Sequence, residues 1–288
     1  MMASMAAFTV NDIFMKLMAG DVPLFQLLFM RGALTTIAVA FIAWRMGVLT
    51  NRIPRHDIGV LFWRTIGEVG ATYFFLTALF NMPIANITAI LQALPLTITL
   101  AAALFFRDAV GWRRMLAIVV GFCGVMLIVR PDADGFNTYA LYGLAAVAFV
   151  TLRDLSTRRL SKETPSMLVT LVTSVAVMTC FGLASLTGDW VPVGFREIGL
   201  TVAAAASIIG GYLFSVMVMR VGEISFIAPF RYTGLIWALV LGWLVFGEWP
   251  DGITLIGAGI VVASGLFTLY RETRLGLKKS SLRAPRPR

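Results

Sequence analysis

The sequence predicts an all-α membrane protein of ten transmembrane helices, arranged as a 5+5 inverted repeat with both termini cytoplasmic. Three observations predict it. The 288-residue chain is 59% hydrophobic and only 14% charged, with a mean hydropathy of +0.86, whereas soluble domains carry about 25% charged residues. Apolar runs bounded by charges, prolines or glycines recur along the whole chain, each near the roughly 20 residues that cross a bilayer as a helix. The chain also repeats itself. Leu94 to Arg107 aligns without gaps on Leu235 to Glu248, 141 residues on, and the same spacing relates Gly124 to Gly265 and Arg130 to Arg271. A spacing of 142 relates Asp12 to Asp154, Lys16 to Arg158, Asp21 to Glu163 and Pro23 to Pro165.

The apolar runs place the spans at about 2–19, 24–46, 57–80, 83–106 and 112–130 in a first unit, residues 1–133. The second unit, residues 134–272, has spans at about 138–155, 166–187, 195–219, 224–246 and 253–271. The first and sixth are the least hydropathic, and they match in the repeat, which makes them polar and inward-facing. Five spans per unit is an odd number, so the second unit enters the membrane inverted. The charges agree. Arg45, Arg52 and Arg55, then Arg107, Arg113 and Arg114, then Arg158, Arg159 and Lys162 fall on the side of the termini. The opposite loops hold Asp21, Asp132, Asp134, Asp189, Glu197, Glu248 and Asp251, so the positive-inside rule puts the termini in the cytoplasm. The basic tail, residues 273–288, is expected to be disordered and suited to anionic lipid.

The net charge of +9 lies in short loops and the tail, which argues for membrane orientation and against a nucleic-acid partner. Cys123 and Cys180 sit in separate apolar spans, giving neither a disulfide framework nor a metal site. His56 stands beside Arg52, Pro54 and Arg55 and reads as a solvated loop residue. Met1 to Met18 lacks a basic start and carries Asn11, Asp12 and Lys16, unlike a cleavable signal. There is no Ser/His/Asp set, metal-ligand cluster or phosphate loop, so the sequence predicts no enzyme, no catalytic residue and no cofactor. Gly257, Gly259 and Gly265 read as small residues for close helix approach.

The candidate site residues are polar groups inside apolar spans. Arg231 lies in Ser225 to Glu248, two residues after Pro229, and an arginine at the bilayer centre costs about 2.5–3.5 kcal/mol on insertion scales. A proline there also frees a backbone carbonyl, so the stretch reads as a cavity wall. Arg64 and Glu68 are four apart on one helix face, and their matched positions are Ala205 and Ile209. Both a structural ion pair and a substrate or proton site remain open. Asp12 and Asp154 recur in both units beside Asn11 and Arg153, as helix cross-links or as path charges. Arg31 is placed to hold an anionic group or to pair with an inward acid such as Asp12. Asn86, Thr88 and Gln92 share one side of the fourth span before Pro95, either bonding between helices or lining a cavity. Tyr73, Tyr212, Tyr232 and Trp237 are available to stack on a planar substrate or to pack.

The run APFRYTGLIWALVLGWLVFGEWPD, followed by TLIGAGIVVASGLFTLYRE, resembles the EamA-type members of the drug/metabolite transporter superfamily. So do VGWRRMLAIVVGFCGVMLIVRP, FTVNDIFMKLM and LLFMRG in the first half. The resemblance spans about Ala6 to Glu272. It implies a ten-helix inverted-repeat carrier of small metabolites in the bacterial inner membrane, in a family that includes aromatic amino-acid exporters and importers of riboflavin or S-adenosylmethionine. Where members often place an acid after Pro-Phe, this chain has Arg231, which favours a carboxylate-bearing substrate.

The sequence therefore predicts a secondary transporter working by alternating access, exporting aromatic or neutral amino acids. The expected cavity residues are Arg231 for the carboxylate, Tyr232, Trp237, Tyr73 and Tyr212 for the side chain, Asn86 and Gln92 for polar contacts, and Glu68 for a coupling proton. Import of riboflavin or S-adenosylmethionine is the alternative. A non-transporting scaffold or receptor stands in another class, and a channel lacks a filter or charge ring. One monomer suffices to enclose a site; the oligomeric state stays open.

Overall fold

The computed structural model of the chain describes residues 1–106, 111–130, 138–161, 163–221 and 227–283. Among these, all regular structure is helical. The first half contains α1 (Met2–Lys16), α2 (Leu24–Arg45), a 3-10 turn (Val48–Thr50), α3 (Arg55–Asn81), α4 (Ile84–Leu91), α5 (Leu94–Phe106) and α6 (Trp112–Val129). The second contains α7 (Tyr139–Arg159), α8 (Ser166–Ser185), α9 (Phe195–Val221), a 3-10 turn (Ala228–Tyr232), α10 (Thr233–Phe246) and α11 (Gly252–Arg283).

Among the described residues, eight stretches are long and apolar enough to cross a membrane, with α4 and α5 forming one of them and Pro229 to Phe246 another. The remaining two expected spans are α1, short at 15 residues, and α3, which is long but carries Asp57, Arg64 and Glu68. In α1, Ser4, Thr9 and Asn11 are buried, and 44% of the most apolar stretch of α7 is buried against 22% for α8. α1 and α7 thus face inward, where a helix surrounded by protein needs no lipid-facing apolar surface. Large side chains such as Ile37, Phe41, Phe105 and Leu244 point outward instead, as a bilayer requires. His56, expected in a loop, lies in the first turn of α3 and is exposed. α11 continues past the expected boundary at 271, with no proline before Pro285 to stop it.

Two spans read as continuous are interrupted. The fourth breaks at Gln92 and Ala93, just before Pro95, and the ninth begins with the tight turn containing Pro229. Proline supplies no backbone donor, so both breaks have a local cause. They fall at nearly matched positions of the repeat.

Four helix pairs dominate the packing: α3 with α7, α1 with α9, α2 with α8, and α6 with α11. Exchanging the two halves turns the first pair into the second and maps each of the others onto itself. The side chains repeat this. A Cβ on Gly70 of α3 would lie 2.4 Å from the Phe149 ring of α7, and a Cβ on Gly211 of α9 would lie 2.7 Å from the Phe8 ring of α1. Both members of these contacts are related by 141 residues. Between α6 and α11, Gly124 and Gly257 let the backbones touch, each Cβ position falling within 2.8 Å of the other's carbonyl oxygen. Lipid gives Leu–Leu contacts no hydrophobic advantage, so such close approach is what holds membrane helices together.

Successive spans alternate in direction, α4 and α5 together making one. One end of the bundle, the terminal end, gathers Met1, the starts of α3, α6 and α10, and the finishes of α5, α7, α9 and α11. Asp57 braces it: its carboxylate accepts from the Ser161 hydroxyl at 2.6 Å and the Thr164 hydroxyl at 2.5 Å, tying α3 to the α7–α8 connection.

Candidate functional site

Two adjoining cavities, of about 610 and 420 Å³, occupy the bundle and share Met5, Phe8, Asp12, Leu91, Leu94 and Arg231. Their walls come mainly from α1, α2, α3, the α4–α5 break, α7, α9 and the turn before α10. Arg114, Arg158 and Leu269 in the smaller cavity, and Met1 and Thr157 in the larger, place both toward the terminal end. The opposite end is packed shut: Met15, Met18, Leu27, Leu28, Leu76, Leu79 and Ile84 have at most 1% of their surface exposed. Across that plug Lys16 Nζ donates to Glu248 Oε1 at 2.7 Å and to the Met82 carbonyl at 2.8 Å. Arg130 with Asp251, and Arg196 with Asp21 at 3.0 Å, join the surrounding helix ends.

The larger cavity is lined by Arg31, Arg64, Arg153 and Arg231 and by Asp12, Glu68 and Asp154. Charge of both signs in one apolar bundle is stable where groups pair or face water. Arg153 donates through Nε to Asp154 at 2.9 Å and through Nη1 to Glu68 at 3.4 Å. Arg64 donates to the hydroxyls of Thr157 at 3.0 Å and Thr173 at 2.5 Å, with Glu68 3.8 Å away. On the α1 side, Asn11 Nδ2 donates to Asp12 at 2.9 Å, and Arg31 reaches Asn11 Oδ1 at 3.4 Å. The residue before each matched aspartate is thus its donor, Asn11 in one half and Arg153 in the other. Arg31 is loosely held by comparison with Arg64 and Arg153. The Arg231 side chain is exposed, lines the cavity, and makes no hydrogen bond or ion pair with a described residue. A carboxylate would find donors at Arg31 and Arg231, and an ammonium would find acceptors at Asp12 and Glu68.

Of the residues singled out in the sequence, Arg231, Tyr212, Asp12, Asp154, Arg31, Arg64 and Glu68 meet at the larger cavity, and Arg231, Tyr232, Gln92, Thr88 and Asp12 at the smaller. Tyr212 meets the Phe8 ring edge-on at 5.3 Å. Tyr73, Trp237 and Asn86 line neither. Tyr73 stacks on Phe25 at 6.0 Å within the packed region. Trp237 Nε1, Asn86 Oδ1 and the Tyr232 hydroxyl are buried without a hydrogen-bond partner among the described residues. The expected Arg64 to Glu68 pair is one edge of a wider network, and the Arg31 link to Asp12 runs through Asn11. Sequence reading passed over Arg153 as a site residue, although its pairing with Asn11 at the repeat spacing was visible. It also missed Lys16 with Glu248, whose partnership spans 232 positions and leaves no local signal.

A family model described as the EamA-like transporter family matches residues 1–130 and again 137–270. Curated relatives include an S-adenosylmethionine uptake transporter of Rickettsia bellii, 26% identical over 96% of this chain and 94% of its own length. A riboflavin transporter of Vibrio cholerae is 29% identical over 83% of this chain and 78% of its own. A pseudopaline exporter of Pseudomonas aeruginosa is 26% identical over 92% of this chain and 93% of its own. A crystal structure with 19% identity aligns at a TM-score of 0.61, covering 93% of this chain and 96% of the other, and shares the fold.

Proposed function

Because the chain belongs to the EamA-like transporter family and is a multi-pass protein of the bacterial inner membrane, we propose that it is a secondary carrier exporting amino acids by alternating access. The observation that carries the substrate class is the larger cavity, where loosely held arginines face carboxylates between apolar walls. That arrangement suits a zwitterion with a carboxylate, neutral or aromatic in its side chain. Arg31 and Arg231 hold the carboxylate, Asp12 or Glu68 the ammonium, and Glu68 is the first candidate for a coupling proton. The working architecture is the 5+5 inverted repeat with cytoplasmic termini, which the twofold family match, the exchangeable helix pairs and the arginine-rich terminal-end loops support. In it the cavity opens inward and the Lys16–Glu248 end faces outward. The site lies within one chain, so a monomer suffices.

Import of S-adenosylmethionine or riboflavin is the second reading, favoured by one relative named for uptake of the first and another named for transport of the second. S-adenosylmethionine carries the same α-amino carboxylate, so the same arginines serve it. Counterflow of labelled amino acids, S-adenosylmethionine and riboflavin into proteoliposomes separates the readings. Saturable exchange of neutral or aromatic amino acids is expected. Exchange of only the nucleoside or the vitamin contradicts the amino-acid assignment.

A further inference from the structure

A third cavity, of about 230 Å³, lies between α2, α3, α8 and α9. It shares Arg31, Arg64, Glu68, Thr72, Ile208 and Tyr212 with the larger cavity. These residues form a neck with charges on the central side. Beyond it Val39, Ile42, Val177, Ile209 and Leu213 supply aliphatic surface, interspersed with three threonines and the small Ser174. Gly32 closes this region, since a Cβ there would sit 3.3 Å from the Met178 backbone of α8.

We infer that this side cavity is the specificity pocket of the carrier, receiving the apolar side chain of a zwitterion whose carboxylate rests on Arg31 at the neck. The inference rests on the amino-acid reading above and narrows it to large apolar side chains. Three features place the side chain here. The neck sets a cation and an acid beside an apolar chamber, the geometry of an α-amino acid's head and side chain. Arg31, the loosest of the network arginines on this wall, has donors to spare. Arg64 is fixed by Thr157 and Thr173 and so holds the neck's shape. Apolar pockets discriminate by volume, with one methylene worth about tenfold or more. Selectivity should therefore rise with side-chain size until the pocket is filled.

Ser174 lines the side cavity and neither of the two central ones, so Ser174→Phe reduces the side cavity's volume and leaves every charged residue of the neck in the sequence. The test compares KM for labelled phenylalanine and alanine counterflow in proteoliposomes of the wild type and Ser174→Phe. The ratio of the two, phenylalanine over alanine, is expected to rise by about tenfold or more. Val177→Ala enlarges the same pocket and serves if Ser174→Phe does not fold; it is expected to shift preference from phenylalanine toward tryptophan. An unchanged ratio in both variants, as when a lipid chain occupies the cavity, overturns the assignment. So does an equal loss for both substrates in a folded variant. Wild-type protein that exchanges no amino acid at all fails differently, by removing the amino-acid reading itself.

Discussion

Arg31 and Arg64 face the same cavity but are held to different degrees, and the difference sorts their roles. Arg64 has two short hydroxyl acceptors, whereas Arg31 has one long contact to Asn11. Truncating one member of a buried charge pair costs about 2–5 kcal/mol. Arg31→Ala is therefore expected to raise KM roughly 30-fold or more, with Arg31→Lys recovering part of it; equal KM values in uptake assays contradict that role. Asp251 makes a separate stability prediction. Its carboxylate accepts from the Thr254 amide at 3.2 Å at the start of α11. Thr254, and then Arg130, hold it below the usual carboxylate range. A lowered folded-state value means the contribution is present above the ordinary pKa of about 3.9 and is lost as pH falls through the lowered one. Asp251→Ala should cost about 1 kcal/mol in neutral-pH thermal unfolding in detergent, and less in strong acid. Charged residues inside apolar spans were legible in the sequence because a charge in lipid needs a reason, and most such candidates line the cavities. Tyr73, Trp237 and Asn86 were not sorted from them. An aromatic ring or amide is tolerated on either face of a membrane helix, so helix rotation decides and the sequence does not print it.

At the scale of elements, the crossing of α6 and α11 depends on two facing glycines. A Cβ at Gly124 meets the Gly257 carbonyl at 2.8 Å and Ile260 at 3.0 Å. Gly124→Val should therefore cost about 1–3 kcal/mol through overpacking, seen as lower thermal stability of the detergent-purified protein. The closed end depends on Lys16 and Glu248, with 9% and 27% of their side chains exposed. Glu248→Gln removes the charge partner of Lys16 and should loosen the plug. A cysteine at Met82, now 6% exposed, would then label several-fold faster with an impermeant thiol reagent from that side; an unchanged rate makes the pair incidental. The helices themselves were legible from hydropathy, because each needs a run of apolar residues long enough to face lipid. The breaks at Gln92 and before Thr233 were only hinted at by Pro95 and Pro229, since membrane helices often absorb a proline. The Lys16–Glu248 bridge was beyond reach, because it forms only once the two halves are packed together.

For the whole molecule, the proposed alternating access needs two states, and cavities lying toward the terminal end with a packed plug at the other fit one of them. The most direct test places single cysteines at Leu91, which lines both large cavities, and at Met18, fully buried in the plug. Both go into protein lacking Cys123 and Cys180, which are exposed. Labelling with an impermeant reagent is followed from each membrane face with and without a saturating exchanged amino acid. A carrier gives opposite responses: Leu91→Cys reacts from the terminal side at rest and slows with substrate, while Met18→Cys gains reactivity from the opposite face. Simultaneous reactivity of both positions, or no response of either to substrate, contradicts the account.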